Sequence, residues 1–175
     1  MADDTRGNES TGNVPATGTL STKKKAIVLG PDGKPCRTCN TLTDFLGAKK
    51  STKKAPPVAA APPNCPPDVE ELGRASWTLL HSIAATYPEQ PSFAEQQDVS
   101  QFMGLFSRIY PCWSCAADFR EYIAASRVRA ESRDEFGRWL CEAHNEVNRK
   151  LGKREFDCTR WQERWRDGWR DGSCG

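Results

Sequence analysis

All six tryptophans and all three tyrosines of this 175-residue chain lie beyond residue 64, and seven of its twelve prolines lie before it. Any hydrophobic core therefore has to be assembled from residues 65–175. Residues 1–64 hold a single aromatic side chain, Phe45, and remove too little apolar surface from water to offset the entropy of ordering their backbone. They read as a disordered tail. The 111 residues from 65 to 175 suffice for a modest core, one that disulfides or a second subunit would reinforce.

The formal charge of +2 conceals two unlike parts. Residues 1–64 carry 10 Lys and Arg against 5 Asp and Glu, whereas residues 65–175 carry 15 against 18. The runs Lys23-Lys24-Lys25, Lys49-Lys50 and Lys53-Lys54 lack interleaved aromatics and the domain has no basic excess, so no nucleic acid is expected as a partner. No stretch of 18 apolar residues occurs, and Met1-Ala2-Asp3-Asp4-Thr5 has neither the basic nor the apolar segment of a secretory leader. A membrane span and secretory entry are both disfavoured. Eight cysteines sit uneasily with that, because disulfides need an oxidising compartment and the alternative is metal.

From Asp68 onward the apolar residues recur at helical spacing, with no alternating strand. Asp68, with Glu71 three residues on, opens a helix reaching Tyr87 whose apolar face is Val69, Leu72, Leu79, Leu80, Ile83 and Tyr87. Ser92 and Glu95 form a second capping pair, for a helix reaching Tyr110 with a core face of Val99, Phe102, Leu105, Phe106 and Ile109. Pro111 stops it and is suited to the first turn of a third helix, which begins around Cys112 and carries Phe119 and Ile123. Ser132 and Glu135 open a fourth with Phe136, Trp139, Leu140, Ala143, Val147 and Leu151 on one face and Gly152 as its stop. Thr159 is placed to cap a short fifth helix bearing Trp161, Trp165 and Trp169. The expected fold is all-α, a four-helix bundle plus a short fifth helix, in a domain of residues 65–175.

Two CxxC pairs stand in different settings. Cys112-Trp113-Ser114-Cys115 sits at a helix start, where unpaired backbone N–H groups and the macrodipole favour thiolate, the reactive form. Cys36-Arg37-Thr38-Cys39 lies in the tail. A Lys-, Ala- and Pro-rich linker over residues 40–64 follows it, with a coil span of about 25 to 30 Å. Such a layout suits an electron relay between a roaming and a fixed dithiol. Zinc is the rival reading, because Cys112-x2-Cys115 and Cys141-x2-His144 supply four ligands at knuckle spacing. Well-patterned helices do not need metal to make a core, and zinc leaves Cys36, Cys39, Cys65, Cys158 and Cys174 without a role. A dithiol oxidase needs a redox cofactor, yet the chain has no G-x-G-x-x-G fingerprint. Polar and aromatic candidates for binding one are Arg74, Trp77 and His81 on the first helix and His144, Asn145 and Asn148 on the fourth, although helical Trp and His also serve plain cores.

Cys65-Pro66-Pro67-Asp68, Leu72-Gly73-Arg74, Trp77, His81, Tyr110-Pro111-Cys112-x-x-Cys115 and Cys141-x-x-His144-Asn145-x-Val147-Asn148-x-x-Leu151-Gly152-Lys153 resemble the Erv/ALR family of FAD-linked sulfhydryl oxidases. Trp165-Arg166-Asp167-Gly168-Trp169 and Asp171-Gly172-Ser173-Cys174 are most similar to the branch containing augmenter of liver regeneration. The resemblance implies a helical bundle holding FAD, with Cys115 beside the flavin and Cys112 exchanging with incoming dithiols. It implies FAD contacts from Gly73, Arg74, Trp77, His81, Tyr110, Cys141, His144, Asn145, Val147, Asn148, Leu151, Lys153, Arg164 and Trp165. It further implies a structural disulfide between Cys141 and Cys158, and Cys65 and Cys174 linking the subunits of a homodimer. Cys36/Cys39 matches the shuttle pair of long mitochondrial forms, which passes electrons to Cys112/Cys115, often on the other subunit. Such forms lie in the mitochondrial intermembrane space, take electrons from the disulfide carrier of the import pathway, and deliver them to cytochrome c or oxygen. No metal is implied.

Overall fold

The structure, a computed structural model, describes residues 26–41, 44 and 65–174. Phe45, the three lysine runs and most of the linker lie outside the described residues.

Four helices follow one another: α1 (Val69–Thr86), α2 (Phe93–Ile109), α3 (Trp113–Ala125) and α4 (Arg133–Lys150). Their starts are set locally. Asp68 accepts from the amides of Glu70 and Glu71, both at 3.0 Å, and Ser92 and Glu95 close a reciprocal capping box. Ser132 Oγ accepts from the Glu135 amide at 3.2 Å, and the acidic first turn of α4 suits its macrodipole. Gly152, at φ 65°, provides the left-handed residue just past the end of α4.

α1 packs along α4 and α2 along α3. The core they enclose is built on Leu80, Ala84, Tyr87, Met103, Phe136, Trp139 and Leu140, with Trp77, Val99, Phe106, Phe119 and Tyr122 packed around it. Buried polar tips are satisfied: Tyr87 donates to the Ala130 carbonyl at 3.0 Å and Trp139 Nε1 to the Ser126 carbonyl at 3.1 Å. Among the described residues no helix is long and apolar enough to cross a membrane.

The all-α expectation is borne out, with differences in detail. On α2 the helix is apolar on two faces: Val99, Met103 and Phe106 enter the core, while Phe102, Leu105 and Ile109 stay outside, Ile109 76% exposed. Leu79 on α1 and Leu151 beyond α4 are likewise outside. Periodicity marks a side chain as apolar without saying which partner covers it. Pro111 does not enter the third helix, because Cys112 takes the cap.

The last helix is a 3-10 turn (Cys158–Arg160) running into a π turn (Glu163–Asp167). Its cap is Asp157, which accepts from the Thr159 amide at 3.0 Å, and not Thr159. Gly168 at φ 82° ends it, so Trp169 lies beyond the helix. The cause is Trp161, which is fully buried and donates to Asp134 at 2.9 Å from a notch over Gly137. A Cβ at Gly137 would stand 2.5 Å from the Trp161 ring. Gly137→Ala is therefore expected to destabilise the fold by roughly 1–3 kcal/mol through overpacking, read as a lower urea midpoint. An unchanged midpoint would mean that Trp161 gives way freely.

Residues 26–41, expected to be unordered, form a compact turn. Their order comes from hydrogen bonds and not from a core. Asn40 is 2% exposed and binds the Val28 amide (2.8 Å), the Val28 carbonyl (2.9 Å) and the Cys36 carbonyl (2.7 Å). A bridge between Leu29 and Pro35, with Gly33 at φ 74°, closes the hairpin that leads into the 3-10 turn Arg37–Cys39.

Candidate active site

Cys112 is the cap of α3 and is disulfide-bonded to Cys115 one turn on. Its Sγ accepts the Cys115 backbone N–H at 3.3 Å, so on reduction the sulfur sits among N–H groups that stabilise thiolate. Cys112 is fully buried, whereas Cys115 is half-buried. Cys36 and Cys39 form a second disulfide. The hairpin holding them lies against the start of α3: Thr38 Oγ1 donates to the Pro111 carbonyl at 3.2 Å, and Trp113 Nε1 donates to the Leu29 carbonyl at 2.9 Å. Trp113, Thr38 and Asn40 were not singled out by the sequence, because their partners lie on backbone that only folding brings near.

Between α1, α4 and the C-terminal π turn, four rings form a ladder. Trp77 stacks on His144 with centroids 4.1 Å apart and planes 3° from parallel, and His81 stacks on Trp165 at 4.3 Å and 8°. His81 Nε2 lies 3.2 Å from His144 Nδ1, joining the two stacks. Arg164 lies over the Trp165 ring at 4.4 Å. Burial, then the charges of His144 and Arg164, push His81 down to about 3, and burial with Lys153 and Arg164 pushes His144 down to about 4.

Both imidazoles thus stay neutral in the fold while the unfolded chain takes up protons near pH 6.5. Stability should be full above that pH and fall as pH drops through it toward the folded values, His81 alone costing about 2 kcal/mol between pH 7 and pH 5. Urea midpoints at pH 7, 6 and 5 check this, and a flat series would contradict it.

His81 Nδ1 is buried without a hydrogen-bond partner among the described residues. An orphaned ring nitrogen beside flat aromatic faces, with Lys153 and Arg164 close enough to act on the imidazoles, fits a planar heteroaromatic group carrying anionic substituents. The structure brings Trp77, His81, His144, Arg164, Trp165 and Lys153 together. Asn145 is buried and holds the chain after α4 in place. Its amide brackets Phe156, donating to the carbonyl (2.8 Å) and accepting from the N–H (2.9 Å). Asn148 donates to Asn145 at 3.4 Å and its carbonyl accepts the Lys153 amide at 2.8 Å, which sets the turn after α4. Arg74 faces solvent 4.0 Å from Glu70, and Leu151 is exposed. Gly73 leaves open space where a Cβ would stand, and Val147 is half-buried on α4. Tyr110 is half-buried against Phe106, its hydroxyl pushed up by burial and partly restored by Ser76.

The zinc quartet is not assembled. Cys141 is bonded to Cys158 and Cys112 to Cys115, and no group of three metal-ligating side chains converges among the described residues. Cys65 and Cys174 are free and exposed.

Residues 74–166, more than half of the chain, match the model of the Erv1 / Alr family. The chain belongs to that family. It is 46% identical over 181 residues to the mitochondrial FAD-linked sulfhydryl oxidase ERV1 of Saccharomyces cerevisiae, covering 90% of this chain and 94% of that protein. The corresponding Schizosaccharomyces pombe protein is 38% identical over 81% of this chain and 92% of its own length. The crystal structure of the yeast Erv1 core is similar at TM-score 0.60 and 53% identity, covering 67% of this chain and 99% of that one. As an Erv1 / Alr protein, this chain carries both CxxC pairs within its described residues.

Proposed function

We propose that the chain is an FAD-linked thiol oxidase that converts substrate dithiols into disulfides. The carrying observation is the Cys112–Cys115 disulfide capping α3 with the Cys36–Cys39 disulfide docked against the same helix start. Relatives named FAD-linked sulfhydryl oxidases, and similarity to the crystal structure of the FAD-binding domain of yeast Erv1 (57% identity, TM-score 0.58), support the cofactor.

Substrate thiolate attacks the Cys36–Cys39 disulfide, and a second substrate thiol resolves the mixed disulfide, leaving Cys36 and Cys39 reduced and the substrate oxidised. The reduced pair then reduces Cys112–Cys115 in the same way. Cys112, beside the docked hairpin, is the exchanging sulfur and Cys115 the one nearer the cofactor. Bound FAD supplies the two-electron acceptor that side chains lack. Trp77, His81, His144 and Trp165 give it flat faces, and neutral His81 offers Nδ1 as a hydrogen-bonding atom. Lys153, Arg164 and Arg74 answer its phosphates. Gly73, Tyr110, Cys141, Asn145, Val147, Asn148 and Leu151 complete the lining, Asn145 and Asn148 acting through the turn that presents Lys153.

The names of the two yeast relatives support a mitochondrial location, and we place the protein in the intermembrane space. There the disulfide carrier of the import pathway is its electron donor, and oxygen or cytochrome c its acceptor. The working form is a homodimer. Phe102, Leu105 and Ile109 of α2 with Leu79 of α1 present apolar surface for a second copy, and exposed Cys65 and Cys174 are free to link the subunits. Sedimentation at monomer mass would overturn that assembly.

A visible spectrum tests the oxidase reading. Purified protein should be yellow, bleach on anaerobic titration with dithiothreitol and recover in air. A colourless preparation rich in zinc would sink it.

A further inference from the structure

One stripe of α4, formed by Asp134, Gly137, Cys141 and Asn145, receives the chain that returns after Gly152. Spacings of three and four residues put all four on one face of the helix. Asn145 holds both backbone groups of Phe156, Cys141 is bonded to Cys158, and the Trp161 ring lies over Gly137, so the segment runs antiparallel to α4. Asp134, in the first turn of the helix, takes the last attachment. Its Oδ1 accepts from Trp161 Nε1 at 2.9 Å and from Gln162 Nε2 at 3.3 Å, while its Oδ2 accepts from Arg138 Nε at 2.7 Å.

Beyond Gln162 the chain leaves α4. The π turn Glu163–Asp167 packs on α1, where Trp165 stacks on His81 and Arg164 lies over the Trp165 ring. Trp165 is seven residues from Cys158 but three from Gln162, so the disulfide fixes where the segment begins and leaves open where the ring arrives. Arg160 and Arg170 both pair with Glu163, bonds inside the segment that shape it without placing it. Among the described residues, the side-chain hydrogen bonds that join residues 160–167 to α4 both end on Asp134 Oδ1. Trp161 is fully buried, so its N–H has no water to turn to if that oxygen is lost. Its relief is to leave the notch toward solvent, taking the next turn with it.

We infer that Asp134 is a positioning residue for the cofactor: through Trp161 and Gln162 it holds Trp165 and Arg164 against His81, and so sets how long bound FAD is retained. This rests on the FAD reading above. The carboxylate serves here as a hydrogen-bond acceptor and not as a charge, because the indole and carboxamide donors it meets are neutral. Its pairing with Arg138 lies within α4 and does not reach the turn.

Flavin release from full-length, flavin-loaded protein tests this. Bound and free FAD differ in fluorescence, so dilution of each purified variant reads a release rate. Asp134→Ala should release FAD roughly tenfold faster than the parent chain, the effect of one buried donor left unpaired. Asp134→Asn keeps an acceptor oxygen and should stay within about threefold of the parent. Trp161→Phe keeps a ring over Gly137 and removes the donor; it should release FAD faster than the parent, and it carries the test if Asp134→Ala does not fold. Tyr87→Phe separates position from stability. It removes a buried hydrogen bond of the same kind, to the Ala130 carbonyl, and should lower the melting temperature while leaving the release rate within about twofold. Unchanged release in Asp134→Ala or in Trp161→Phe would overturn the role given to Asp134. So would Asp134→Asn releasing as fast as Asp134→Ala, or Tyr87→Phe matching either. A parent chain that purifies without flavin would instead overturn the oxidase reading.

Discussion

Cys115→Ser is expected to abolish oxidation of every thiol, with a loss in turnover on the order of a thousandfold or more, because in the proposed relay no later group replaces the sulfur assigned to the cofactor side. Serine preserves the start of α3, since the hydrogen bond that caps it is donated by the Cys115 backbone N–H. The loss is therefore chemical, and the variant should keep its melting temperature and its yellow colour. Cys36→Ser behaves differently. It keeps most oxidation of dithiothreitol, small enough to reach Cys112 when the hairpin opens, and slows oxidation of a reduced protein substrate at least tenfold. Oxygen consumption with the two substrates checks both variants, and equal loss with both for Cys36→Ser would argue against a relay.

Cys158→Ser carries the largest expected effect on stability. The disulfide from Cys141 on α4 to Cys158 closes 17 residues and anchors the 3-10 turn from which the chain reaches Trp161 and Trp165. A loop of that length is worth about 3 kcal/mol through the unfolded chain. In a domain of this size the melting temperature should fall by roughly 12–20 °C. Flavin content should fall with it, because the stack of Trp165 on His81 depends on the same turn. Calorimetry and absorbance together decide the matter: an unchanged melting temperature would show that Trp161, donating to Asp134 over Gly137, holds the C-terminal turn unaided.

The helix starts at Asp68, Ser92 and Ser132 were legible because a cap is a local event, settled by a side chain and an amide two or three residues away. The reactive setting of Cys112 was legible for the same reason. Less so was the destination of apolar faces. Phe102, Leu105 and Ile109 fit the helical period as well as Met103 and Phe106 do, and only the packing of α2 on α3 decides which stripe is left outside. The irregular last helix was hidden too. Its π turn follows from Trp161 lodging in a notch that exists only because residue 137 of another helix is glycine.

The N-terminal segment shows the limit most clearly. Composition argues against a core built from residues 1–64, but it says nothing about polar order. Asn40 achieves that order with three side-chain hydrogen bonds, and Thr38 and Trp113 extend it to α3. By itself the sequence determined the four helices that follow Asp68 and two dithiols in unlike surroundings, because helical period and capping are properties of neighbours in the chain. Tertiary structure alone decided that Trp77, His81, His144 and Trp165 form one ladder and that the two dithiols meet at the start of α3, because both depend on backbone brought together from distant parts of the chain.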